Sequence, residues 1–190
     1  MERAEAIVVK NLIPTDLGSG SPVRDAAHWD AVEEAAELLQ EARYPEAMIA
    51  LRGVIKADPM NPYAYNYLGV AFFEIENLEA ARDAYRAAIR VQPDYLGARV
   101  SLSNVLRLMG HPGEALREAN EALRRFPKDG EALHAAGLAN AAKGNRREAK
   151  KQLQGYLGQG PELEAQHEVR QILEMLGVGE EGEPLELEQD

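Results

Sequence analysis

The sequence predicts an all-α fold, a solenoid of four stacked helix-turn-helix units followed by a C-terminal capping helix. Two periodicities and one pattern carry that prediction. Pro59, Pro93, Pro127 and Pro161 recur every 34 residues, and Ala47, Ala81, Ala115 and Ala149 keep the same interval twelve residues earlier. With proline near its ordinary usage of about 5%, three further prolines at preset offsets arise by chance roughly once in ten thousand trials. Between the prolines, large apolar residues recur at i, i+3, i+4 and i+7, the spacing of a helical core face. A fixed period of this length marks hairpins that bury their apolar faces only by stacking on one another.

Counting each unit from 31 residues before its proline gives 28–61, 62–95, 96–129 and 130–163. The predicted helix pairs are 29–41 with 44–57, 62–75 with 78–91, 96–109 with 112–125, and 130–143 with 146–158. In unit one the register is held by Ala35, Leu38, Ala47, Leu51 and Val54. In unit two Pro62 opens a helix, where its missing N–H costs nothing, and Asn77 marks the turn. Units three and four carry Gly110 and Gly144 at that turn, where a residue tolerant of positive φ ends a helix cheaply. Helices of about fourteen residues are marginal alone, so each hairpin leans on its neighbours.

Small residues recur where two helices must approach. The eighth position of the units holds Ala35, Gly69, Ser103 and Gly137, and the twentieth holds the four periodic alanines. Leu68, Phe72 and Tyr85, then Leu102, Leu106 and Leu123, then Leu133, Leu153 and Tyr156 fill the rest of the seam. The segment from Pro161 to Leu176 aligns Val169, Ile172, Leu173 and Leu176 on one stripe, and residues 164–176 are expected to form a solvating cap. Residues 177–190 carry six acids and no base, a composition expected to be disordered. Residues 1–27 form an extension in which Pro14, Gly18, Gly20 and Pro22 follow a short apolar stretch, Ile7 to Val9; it is expected to be partly flexible, adding a terminal cap or staying mobile.

Composition narrows the function classes. One elongated domain suits 190 residues. Cysteine is absent, which removes disulfides, thiolate metal sites and cysteine catalysis. His28, His111, His134 and His167 lie far apart and show no H-E-x-x-H spacing, and no phosphate loop or nucleophile elbow occurs. No enzyme, cofactor or metal is expected. The net charge of −11 is polarised: residues 28–95 total −6, residues 96–163 total +4 and residues 164–190 total −8. That balance argues against nucleic acid, which needs a coherent basic face. The one basic cluster, Arg146, Arg147, Lys150 and Lys151, reads as a solvated helix face, and the acidic tail is expected to make weak, salt-sensitive contact with it. No stretch is long and apolar enough for a membrane span or a signal-peptide core, so the expected location is cytoplasmic, or periplasmic if a leader has been removed.

These residues resemble the tetratricopeptide repeat family, whose 34-residue unit has small residues at positions 8 and 20, an aromatic or apolar residue at 24 and proline at 32. Leu68, Gly69, Phe72, Ala81, Tyr85, Ala88 and Pro93 make unit two the fullest match. Unit three matches through Leu102, Ser103, Leu106, Ala115, Ala122 and Pro127, and unit four through Gly137, Ala149, Leu153 and Pro161. Unit one departs at Glu34, where the family carries a large apolar residue. The resemblance covers residues 28–163 and implies a right-handed superhelix whose first helices line a concave groove.

In that family, positions 2, 5, 9, 12 and 13 of each unit face the groove. The resemblance therefore implies a site drawn from Trp29, Val32, Tyr63, Asn66, Val70, Phe73, Val100, Asn104, Arg107, His134 and Leu138. Asparagine amides both donate and accept, so Asn66 and Asn104 could pair with the peptide units of an extended ligand, or simply solvate or cap helix faces. Trp29 is read either as a ligand anchor or as packing beneath the N-terminal segment. The carboxylate clamp of chaperone-binding members is missing: Val32, Ala36, Tyr67, Gly97 and Ser101 stand at its places. The expected function is a non-catalytic interaction scaffold or adaptor that binds a peptide or helix of a protein partner. The alternative is a chaperone or assembly factor for a secretion or pilus/envelope system.

Overall fold

The computed structural model describes residues 22–177, so the expectations placed on residues 1–21 and on the acidic tail 178–190 lie outside the described residues. Ten helices follow one another among the described residues: α1 Pro22–Asp30, α2 Glu33–Gln40, α3 Tyr44–Ala57, α4 Pro62–Glu74, α5 Leu78–Val91, α6 Leu96–Leu108, α7 Pro112–Arg125, α8 Gly130–Lys143, α9 Arg146–Leu157 and α10 Leu163–Met175. α2 pairs with α3, α4 with α5, α6 with α7 and α8 with α9, and each hairpin packs on the next. No described helix is long and apolar enough to cross a membrane.

Local chemistry sets the helix starts. Asn61 Oδ1 accepts from Ala64 N at 3.1 Å, Asn77 Oδ1 from Ala80 N at 3.1 Å and Asp129 Oδ1 from Ala132 N at 2.8 Å, each satisfying one orphan donor of a first turn. Proline stands in the first turn of α3, α4 and α7. At the turn within each hairpin the backbone turns left-handed at the same register position: Ala42 (φ 57), Glu76 (φ 60), Gly110 (φ 79) and Gly144 (φ 84). Two of the four units meet that requirement without glycine. A left-handed non-glycine residue costs roughly 1–2 kcal/mol.

The first unit departs from expectation. In place of one helix over 29–41, the chain forms α1 and α2 with a bend at residues 31 and 32. The bend has an identifiable cause. The His28 carbonyl accepts from Asn61 Nδ2 at 2.8 Å, while Val32 N bonds Trp29 O at 2.9 Å, an i−3 contact in place of i−4. Asn61 is fully buried, so this long-range bond lies in a low-dielectric setting where losing it is costly. His28 Nε2 also meets Asp58 Oδ2 at 2.8 Å, which ties α1 to the loop that carries Pro59.

The core runs along the helix seams. Ala35, Gly69, Ser103 and Gly137, with the four periodic alanines, are buried. In unit three the eighth and twentieth positions bond directly, Ser103 Oγ donating to Ala115 O at 2.9 Å. Val169 and Leu173 of α10 join Leu153 and Tyr156 of α9 in a final apolar cluster, so α10 covers the face that the last hairpin would otherwise expose.

Candidate functional site

The positions that the resemblance assigns to a groove fall on α1 (Trp29), the residue before α2 (Val32), α4, α6 and α8, and burial divides them into a closed end and a half-open end. Val32, Tyr63, Asn66 and Val70 are exposed by no more than 1% and Val100 by 8%. Trp29, Phe73, Asn104, Arg107, His134 and Leu138 remain partly exposed.

The closed end is aromatic. α1 packs against α4. Trp29 meets Tyr63 edge-on with ring centroids 5.7 Å apart and Tyr67 at 6.1 Å, and Tyr63 meets Tyr95 edge-on at 5.4 Å. Such pairs add roughly 0.5–1.5 kcal/mol beyond their buried area. Trp29 therefore packs the end of α1 onto α4. Burial, and secondarily the charge of Asp25, pushes the Tyr63 hydroxyl up to about 12, so it stays protonated. That hydroxyl has no hydrogen-bond partner among the described residues, and neither does either atom of the Asn66 amide, although both residues are buried.

The half-open end joins α6 to α8. Asn104 and Arg107 lie three residues apart on α6, and His134 and Leu138 lie four apart on α8, so each pair shares a helix face. The His134 ring stacks on Tyr156 of α9, with centroids 4.6 Å apart and planes 14° from parallel. Its Nε2 is buried without a partner among the described residues, and so is Arg107 Nε. Burial first, and the neighbouring Arg107 charge second, push the imidazole down to about 4, which leaves it neutral near pH 7. Burial likewise lowers Arg107 from its ordinary value, opposed by the charge of Glu168 on α10. Leu138 packs on the α9–α10 cluster, so it forms the floor where the cap meets the last unit.

Sequence reasoning missed the residues that shape the closed end, His28, Asp58 and Asn61. Asn61 carried a signal, an asparagine directly before a helix-opening proline, but its bond to His28 across more than thirty residues had none. A shallow depression lined by Glu34, Leu38, Arg43, Glu46, Ile49 and Ala50 lies on the first hairpin. Its guanidinium is already bonded to Glu41 and Glu46, so it offers little unsatisfied polarity to a ligand.

A family model described as tetratricopeptide repeat matches residues 32–95 and 101–164. Superkiller complex protein 3 of Homo sapiens is 31% identical over 81 residues, a match covering 43% of this chain and 5% of that protein. The PEX5-related protein of Homo sapiens is 29% identical over 98 residues, covering 52% of this chain and 16% of that protein. The matched region is thus a small part of each of these relatives. A solved thermophilic TPR protein of Thermus thermophilus superposes with a TM-score of 0.68 at 20% identity, covering 79% of this chain and 83% of that one, a likeness of fold.

Proposed function

The chain belongs to the tetratricopeptide repeat family, and on that premise we propose that it is a non-catalytic protein–protein interaction scaffold, holding a peptide or helical segment of a partner along α4, α6 and α8. The observation that carries this reading is where polar groups lack partners. Among the described residues, buried side-chain polar atoms without a hydrogen bond fall on Tyr63, Asn66, Arg107 and His134, all groove positions, and on Asp94, which is ion-paired with Arg125. Folded domains leave few such atoms unsatisfied. Arg107 and His134 lie at the half-open end, where a partner can reach them, while Tyr63 and Asn66 are sealed at the closed end.

Contact begins at the half-open end, where Phe73, Asn104, Arg107, His134 and Leu138 retain exposure. Apolar burial supplies affinity there and the amide and guanidinium supply register. The places of the carboxylate clamp hold Val32, Ala36, Tyr67, Gly97 and Ser101, so recognition of a terminal acidic motif by that device is not part of the reading.

Site-directed photo-crosslinking tests it. A photoreactive residue at Phe73, Asn104 or Leu138 is expected to capture a partner segment, whereas one at Arg117, an exposed site on α7, is not. Adducts confined to the Arg117 position would overturn the assignment.

A further inference from the structure

We propose that Asn104, Arg107 and His134 form a receptor for the carboxylate of an acidic side chain, so that a peptide in the groove is read for Asp or Glu at the junction of units three and four. The inference rests on the groove reading above and adds the ligand's chemistry to it.

The state of the arginines motivates it. Arg82, Arg86, Arg99, Arg124 and Arg125 all ion-pair with carboxylates of this chain. Arg107 is partly buried, yet it makes no hydrogen bond or ion pair with the described residues, and its Nε–H is shut off from water. A buried cationic donor without an acceptor is expensive, and a carboxylate is the acceptor whose geometry fits a guanidinium fork.

His134 adds a second donor. Its stacking on Tyr156 fixes the ring plane, and the tautomer protonated at Nε2 presents an N–H from a buried position that no described residue uses. Asn104 adds a half-buried amide three residues before Arg107 on α6. The site is thus rich in donors, and it lies within the two units whose formal charge is +4 in a chain of −11. The carboxylates around it are Glu131 one turn before His134 on α8, the exposed Glu168 on α10, whose charge reaches both Arg107 and Tyr156, and Glu162 just before α10, whose charge also reaches Tyr156. Glu168 forms no bond to Arg107 and acts as a like-charged rim toward an incoming carboxylate.

The test uses the whole chain, isotope-labelled, with NMR detection of the arginine Nε–H and histidine ring signals. The probes are N-acetyl-glutamate methylamide, its glutamine counterpart and inorganic phosphate. The glutamate probe is expected to shift the Arg107 and His134 signals saturably, with the glutamine probe about tenfold weaker, since charge-assisted bonds are roughly twice as strong as neutral ones. Arg107→Gln should abolish the shifts, Arg107→Lys should weaken them, and Glu168→Gln should tighten binding about twofold by removing the like charge. Equal binding of the glutamate and glutamine probes, shifts centred on other arginines, or phosphate outcompeting the glutamate probe at equal concentration would each overturn the assignment. Because the wild-type mapping decides these outcomes, a poorly folding variant does not rescue the proposal. Crosslinks in the groove combined with indifferent probes sink the carboxylate receptor alone, whereas crosslinks confined to α7 sink the groove reading whatever the probes show.

Discussion

Gly69 on α4 lies against the ring of Tyr85 on α5: a methyl group at Gly69 would stand 2.6 Å from Tyr85 Cε1 and 2.7 Å from Cδ1. Gly137 has the same relation to Leu153, 2.7 Å from Cδ2. The small eighth position is therefore matched to a large residue at the twenty-fourth. Where the twenty-fourth position shrinks to Ala119, the eighth carries Ser103, and the two stay balanced in volume.

Gly69→Leu is accordingly expected to destabilise the fold by about 1–3 kcal/mol through overpacking. Gly69→Ala should cost less when Tyr85 is first cut back to alanine, the residue that the twenty-fourth position carries at Ala119, because the clash is with the side chain there. Urea midpoints of the single and double variants measure that coupling. Additive effects would remove the Gly69–Tyr85 contact as the cause.

Glu76→Gly should stabilise the protein by about 0.5–1 kcal/mol, because relief of the left-handed strain outweighs the extra freedom given to the unfolded chain. Gly110→Ala and Gly144→Ala should move the melting midpoint the other way. Glu76 and the glycines occupy one register position with φ between 60 and 84°, so opposite signs at equivalent sites are the diagnostic result.

Asn61→Ala removes both the cap on α4 and the bond to the His28 carbonyl, and leaves buried backbone groups unpaired at about 1–3 kcal/mol each. α1 should loosen first. Trp29 is the single tryptophan, so a red shift of its emission ahead of global unfolding reports that loosening. Coincident fluorescence and helicity transitions would show that α1 and the array unfold together.

Acid should weaken the fold through His134. Its folded value, about 4, lies below the ordinary 6.5, so the unfolded chain takes up a proton that the native state excludes. Stability attributable to this residue falls as pH drops from about 6.5 toward 4, then levels off. His134→Gln should flatten that part of the profile. A wild-type and variant pair whose urea midpoints differ by a constant amount from about pH 7 to pH 4.5 would exclude the effect.

Tyr63→Phe deletes a buried hydroxyl that bonds to nothing in the free protein. Stability should hold or rise, by up to about 1 kcal/mol, with partner affinity unchanged, because the closed end shuts the hydroxyl away. Lower stability together with unchanged affinity would mean that the hydroxyl serves the fold.

The sequence by itself determined the repeat and its register. Proline, alanine and glycine at fixed offsets answer to local backbone and close-approach constraints, which act within one hairpin and so repeat with the chain. Helices α3, α5, α7 and α8 fall where the pattern puts them, and α4, α6 and α9 fall within a residue of it. Tertiary structure decided what became of the register positions. The bend between α1 and α2 needs the His28 carbonyl to find Asn61, a contact outside the repeat register, and the closed end needs the rings of Trp29 and Tyr63, one 34-residue period apart, to meet across α1 and α4. Burial decided the rest. One register rule assigned Asn66 and Asn104 the same kind of place, yet the first is sealed and the second half-open, because neighbouring helices remove water from one and leave it at the other.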